Sequence, residues 1–109
     1  MDMGSAVWIL QEVLRERLRQ DEKWGEQNWP DVDDRILAYT VNEQTAKSMC
    51  DSAFKDGTGT YSHILHEEFI EALSAPDQDH LREELVQVAA VAVAWIEKID
   101  RDKRKLIHN

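Results

Sequence analysis

Between Leu65 and Gln87 the chain has to build a core and carry a dense set of carboxylates in the same residues. The stretch reads LHEEFIEAL, a short polar break, then LREELVQ. Residues three and four apart share a face of a helix. At helical pitch Glu71 therefore falls between Glu67 and Glu68, roughly 40° from one and 60° from the other. Three acidic groups crowd one edge of a helix whose Ile64, Leu65, Ile70, Ala72 and Leu73 are apolar. Like charges so placed repel by about a few tenths of a kcal/mol per pair. A bound divalent cation is the expected counter-charge. Glu83 and Glu84 repeat the acidic density on the next segment.

Helical periodicity runs through most of the chain. Val7, Leu10, Leu14 and Leu18 predict a first helix over 5–22, with Ser5 as its cap and Arg15, Arg17 and Arg19 on its outer side. KWGEQNWPDV (23–32) breaks the pattern at Gly25 and Pro30. Its two tryptophans read either as a loop packed on the core or as the wall of a ligand pocket, where indole planes and amides recognise a flat polar ligand. Asp33 or Asp34 is expected to cap a second helix over 34–54, with Ile36, Leu37, Val41, Ala46, Met49 and Ala53 as its apolar stripe. KDGTGT (55–60) lacks the spacing of a phosphate-binding P-loop and reads as a turn. A third helix is predicted over 61–73. Pro76 ends it, and Asp77 or Asp79 caps a long fourth helix over 79–104.

That fourth helix carries a seam of Leu81, Leu85, Val88, Ala92, Ile96 and Ile99, with Trp95 beside it, and a second strip of Ala90, Val91 and Ala94. Two apolar strips exceed what a four-helix bundle buries, so a homodimer or homotetramer is expected. The fold class is all-α: one four-helix-bundle-like domain over 1–109 with a long C-terminal helix and a basic tail, 101–109, expected to fray.

Composition removes several function classes. With 13 Lys and Arg against 22 Asp and Glu, the net charge is −9. Such a chain is not expected to bind nucleic acid or an anionic membrane, which select basic patches. The apolar run VQVAAVAVAWI is too short to span a bilayer. One cysteine, Cys50, rules out an intrachain disulfide and predicts a buried thiol in a reducing cytoplasm.

The hairpin of the third and fourth helices then acquires chemical meaning. Glu68 and Glu71 stand at i, i+3, and so do Glu84 and Gln87. Facing each other across a short turn, the pairs offer up to four oxygen ligands. All-oxygen ligation selects Mg²⁺, or Mn²⁺, and the absence of a Cys/His cluster disfavours zinc. His66 is expected beside the ligands, not among them.

The pattern E-E-x-x-E, a spacer, then E-x-x-D resembles that of the MazG-like all-alpha nucleoside triphosphate pyrophosphohydrolases. It stands here as Glu67-Glu68-Phe69-Ile70-Glu71, twelve residues, then Glu84-Leu85-Val86-Gln87. Helix order, hairpin turn and the Ala/Val-rich last helix are similar too, over about residues 5–100. Gln87 departs from the family's final Asp. The resemblance implies Mg²⁺-dependent cleavage of an NTP or dNTP between its α- and β-phosphates. Glu68, Glu71 and Glu84 would be metal ligands and Gln87 a weaker one. Glu67 would position or deprotonate the attacking water. Lys47, Lys55 and Arg82 are candidates for the outer phosphates, and Trp24, Gln27 and Asn28 for base or sugar. Gln87 leaves two alternatives open: a degenerate member that binds nucleotide or metal without turnover, and a helical adaptor docking through its last helix.

Overall fold

The computed structural model describes residues 2–31 and 42–108. Among them the chain forms four helices and no strand: α1 (Met3–Trp24), α2 (Glu43–Lys55), α3 (Tyr61–Leu73) and α4 (Gln78–His108). The all-α class is as expected. No helix among the described residues is long and apolar enough to cross a membrane.

Each boundary has a local cause. Asp2, not Ser5, caps α1, accepting from the Gly4 and Ser5 amides at 2.9 and 3.3 Å. Asp2 is free for this because its own backbone is extended. The helix runs two residues beyond expectation and ends at Gly25, whose φ of 68° is a left-handed value that suits glycine. The expected second helix over 34–54 does not continue through Asn42. That residue is extended (ψ 171°), and its Oδ1 accepts from Thr45 N at 2.8 Å, so it starts α2 at Glu43. An Asn side chain that satisfies the amides of the following turn marks a beginning, not an interior. Residues 32–41, including Asp33, Asp34, Ile36, Leu37 and Val41, lie outside the described residues.

α3 has the predicted bounds. Thr60 caps it, and His63 Nδ1 reaches back to accept from Thr60 N at 3.1 Å, closing a capping box. Asp77 caps α4 through His80 N at 2.9 Å. The basic tail is helical to His108, a correction to the expected fraying. Arg101 donates to the Gln27 carbonyl at 2.7 Å, and Lys98 pairs with Asp102 at 2.9 Å, so this turn has tertiary and intrahelical anchors.

α4 is the spine. α1 packs on one side of it and α3 on another, and α2 packs against α3. The core joins several alanines (Ala46, Ala53, Ala72, Ala90 and Ala94) to Val13, Cys50, Ile70, Val91 and the fully buried Tyr61. This reverses the expected weighting on α4. The strip Ala90–Val91–Ala94 is the buried one, while Leu85 and Ile96 of the predicted seam are 52% and 58% exposed. Alanines let helix axes approach closely, and Leu81, Val88, Ala92 and Ile99 of the seam are half-buried. α1 is corrected likewise: Leu10, Leu14 and Leu18 are 65%, 57% and 58% exposed, whereas Val13 and Arg17 are buried. Arg17 is therefore not on the outer side. Its Nε donates to Glu97 on α4 at 2.7 Å.

The loop after α1 is held down. Tyr61 and Ser62 amides donate to the Pro30 and Asp31 carbonyls at 2.8 and 3.0 Å, and the Tyr61 hydroxyl donates to Gln27 O at 2.8 Å. Asp31 accepts from Trp95 Nε1 at 2.7 Å and Lys98 Nζ at 3.1 Å. The Trp95 indole lies parallel to the Tyr61 ring, centroids 5.6 Å apart.

Gly59 shows how tight the α2–α3 turn is. A Cβ there would meet Phe54 ring carbons at 2.3 to 2.5 Å. Gly59→Ala is expected to destabilise the fold by about 1–3 kcal/mol, because the ring must move. Urea unfolding checks this, and an unchanged midpoint would show that Phe54 yields without cost.

Candidate functional site

α3 and α4 are joined through 74–77 and lie side by side, which brings Glu68, Glu71 and Glu84 together. One carboxylate oxygen from each lies within 4.8 Å of the others. All three residues are half-buried. Burial strips water from the charged forms, and the neighbours add repulsion. Glu68 is pushed up to about 7, by desolvation first and then by Glu84, Glu67 and Glu16. Glu71 is pushed up to about 8, by desolvation and then by Glu68, Glu67 and Glu84.

Two atoms of this cluster are stranded. Glu68 Oε2 and Glu84 Oε2 are buried and have no hydrogen-bond partner. A buried carboxylate oxygen without a donor is costly. The set of hard oxygens and the two stranded atoms fit a hard divalent cation, which would supply what the protein does not.

A fourth carboxylate joins from α1. Glu16 Oε2 is also buried without a partner, and its charge contributes to raising Glu68. Its other oxygen accepts from Arg19 Nε at 3.4 Å. Sequence reasoning passed over Glu16, which sits 52 residues before Glu68 in a stretch of alternating charges that looks like solvated helix surface. The sign available in the sequence was its turn-by-turn relation to Val13 and Gln20 on the inner side of α1. Gln87 lines a cleft between α1 and α4 together with Glu16 and Glu83. None of Glu68, Glu71 and Glu84 lines that cleft.

Glu67 stands near Cys50 of α2, close enough for its carboxylate to act on the thiol. Burial and that carboxylate raise Cys50 far above the ordinary thiol range, so it is a buried, unreactive group as expected. His66 is not part of the carboxylate cluster.

Next to the carboxylates lies a cavity of about 380 Å³. Its aromatic walls are Trp24, Trp29, Phe54 and Tyr61, and Gln20 and Gln27 bring amides. Glu68 lines it too, so one residue belongs both to the cavity and to the acidic cluster. Trp29 meets Phe54 edge-on, centroids 4.8 Å apart. The 23–32 loop packs down, and its Gln27 and Trp29 line this cavity. Trp24 reaches that wall from the end of α1, not from the loop.

The other predicted substrate residues are elsewhere. Asn28 donates to Glu26 at 2.9 Å and accepts from Arg101 at 3.1 Å. Lys47 is exposed, 4.0 Å from Asp51, and Lys55 is exposed at the end of α2. Arg82 is held by both oxygens of Glu12 at 2.6 and 2.8 Å. None of these four lines the aromatic cavity.

Comparison with protein-family models, with curated proteins and with solved structures finds no match to this chain.

Proposed function

We propose that this chain is a Mg²⁺-dependent nucleotide pyrophosphohydrolase, converting an NTP or dNTP and water to the monophosphate and pyrophosphate. The observation that carries the reading is Glu68, which belongs at once to a half-buried carboxylate cluster and to an aromatic cavity of about 380 Å³. A flat base stacks on indole and phenol rings, and amides read its edge. The phosphates would then lie toward the carboxylates. Two negative partners meet there only with counter-charge. Glu68, Glu71 and Glu84 would hold the cation, with Gln87 as a weaker ligand. Bound Mg²⁺ neutralises phosphate oxygens and lowers the pKa of water. We assign Glu67, one turn from Glu71, to orient the attacking water. Mn²⁺ has the same preference for oxygen ligands and should substitute. The single free Cys50 suits a reducing cytoplasm.

Gln87 supports a second reading, binding without turnover, because an amide brings no charge to the last ligand position. One experiment addresses both. The protein is incubated with a panel of NTPs and dNTPs and Mg²⁺ or Mn²⁺, and products are separated by anion exchange. Monophosphate with equimolar pyrophosphate is expected. Calorimetric nucleotide binding without either product would favour the binder, and neither binding nor hydrolysis would end both readings. Trp24→Ala is expected to raise KM about tenfold with little change in kcat, the cost of one stacking plane. An unaltered KM would remove Trp24 from the base site.

A further inference from the structure

The polar lining of the aromatic cavity is one-sided. Between the rings stand the carboxylates of Asp51 and Glu68 and the amides of Gln20 and Gln27. Among the described residues no Lys, Arg or His lines it. Lys23 Nζ stands 4.7 Å from the centroid of the Trp24 ring but is not part of the lining. The Tyr61 hydroxyl is already engaged, donating to the Gln27 carbonyl at 2.8 Å. Arg101 Nη2 donates to the same carbonyl at 2.7 Å. The main chain that carries the Gln27 amide is therefore held from two sides.

These groups differ in what they can distinguish. An amide offers both a donor and an acceptor and can turn to suit its partner. Gln20 and Gln27 therefore accommodate an amino edge or a carbonyl edge alike. An ionised carboxylate only accepts. Glu68 is committed to the cation in the proposed site, together with Glu71 and Glu84. Asp51, on α2, is outside that cluster. Its ion pair with Lys47 is long, 4.0 Å, and both side chains are exposed, so little holds it back from a ligand. Opposite Asp51 an exocyclic amine donates into the carboxylate, a charge-assisted hydrogen bond. A carbonyl at the same ring position sets its lone pairs against a negative charge. The ring N–H of a uracil edge does not compensate, because carbonyl oxygens flank it on both sides.

We infer that the cavity selects a base with an exocyclic amine (adenine, cytosine or guanine) over one that carries carbonyls alone (uracil, thymine or hypoxanthine), and that Asp51 is the discriminating residue. The inference rests on the nucleotide reading of the cavity. Two substrate pairs exchange an amine for a carbonyl at one ring position: dCTP against dUTP, and ATP against ITP. Their kcat/KM is expected to favour dCTP and ATP by about 10- to 100-fold, the weight of one hydrogen bond to a charged acceptor. Asp51→Asn should bring both ratios below about threefold, since an amide serves either edge. Asp51 is exposed, so the far-UV spectrum of this variant should match the wild type. Asp100→Asn, the same change at an exposed position of α4 outside the cavity, should keep the wild-type ratios. Hydrolysis of all four with equal kcat/KM, or a preference for dUTP and ITP, overturns the inference and leaves the pyrophosphohydrolase reading standing. A preference for the amines that survives Asp51→Asn overturns it as well. Calorimetry with dCMP and dUMP in the presence of Mg²⁺ covers a chain without turnover. Tighter binding of dCMP that Asp51→Asn abolishes, with no hydrolysis of any triphosphate, upholds the selectivity and ends the enzymatic reading. Equal affinities, or no binding of either, with no hydrolysis, overturns both.

Discussion

Glu68→Gln is expected to lower nucleotide turnover at least about 10²–10³-fold while making the metal-free protein more stable. The two effects have one origin. Gln is nearly isosteric, so packing around α3 is retained. The change removes a half-buried charge that stands against Glu84, Glu67 and Glu16. At pH 8 that charge has to be held in place against desolvation and repulsion, and its loss relieves both. In the proposed reaction the same charge holds the cation beside the base cavity, and an amide holds it more weakly. A residue that only decorates a surface would not produce this pair of signs. Loss of activity with a lower melting temperature would instead mean that Glu68 is structural. Full activity with a raised melting temperature would leave the carboxylates without a catalytic role.

The helices were legible wherever periodicity and caps spoke together. α3 has the bounds its sequence predicts because Tyr61 follows a Thr cap and Leu73 precedes a polar turn with Pro76. The second helix was misread at Asn42, where a side-chain cap competes with continuation and only the backbone conformation decides. The inward face was the harder question. A row of leucines at helical spacing predicts an apolar face but not what covers it. On α1 the row faces outward in the single chain, and Val13 and Arg17 take the contact with α4. Arg17 looked like surface because its charge was counted without its partner, Glu97, 80 residues away.

The candidate site divides the same way. Glu68, Glu71 and Glu84 could be found from local spacing because the turn between α3 and α4 is short and forces the two acidic segments together. Glu16 could not, since nothing local links α1 to α3. Both touch α4, and only that shared contact brings Glu16 to the cluster. The cations Lys47, Lys55 and Arg82 were chosen for scarcity of positive charge, a criterion that ignores partners. Arg82 already has a bidentate one in Glu12.

Without divalent metal, melting temperature is expected to fall as pH rises from 5 to 8, and Mg²⁺ should reverse the fall. In the unfolded chain Glu68 and Glu71 titrate near 4.5, whereas in the fold they titrate near 7 and 8. Between those limits the folded state holds more protons than the unfolded one, so stability decreases as pH increases. Below about 4.5 both states are protonated and the penalty disappears. Solvent screening at half-buried positions leaves on the order of 2 kcal/mol for the two groups together, or roughly 10 °C for a domain of this size. Asp77 raises His80 as well, but the pair is exposed and adds little. The double variant Glu68→Gln/Glu71→Gln isolates the effect, since its melting temperature should hardly change over this range. A cation that binds only the folded state stabilises it, and it competes with protons for the same oxygens. Mg²⁺ at millimolar concentration should therefore raise the wild-type melting temperature by several degrees at pH 8, by little at pH 5, and not at all in the double variant. Thermal unfolding of both proteins at pH 5 and 8, with and without Mg²⁺, followed by circular dichroism, gives all the curves. A melting temperature that rises from pH 5 to 8, or a Mg²⁺ shift of the same size in wild type and double variant, would mean that the carboxylates of α3 and α4 are solvated, unpaired surface and that the cation binds elsewhere.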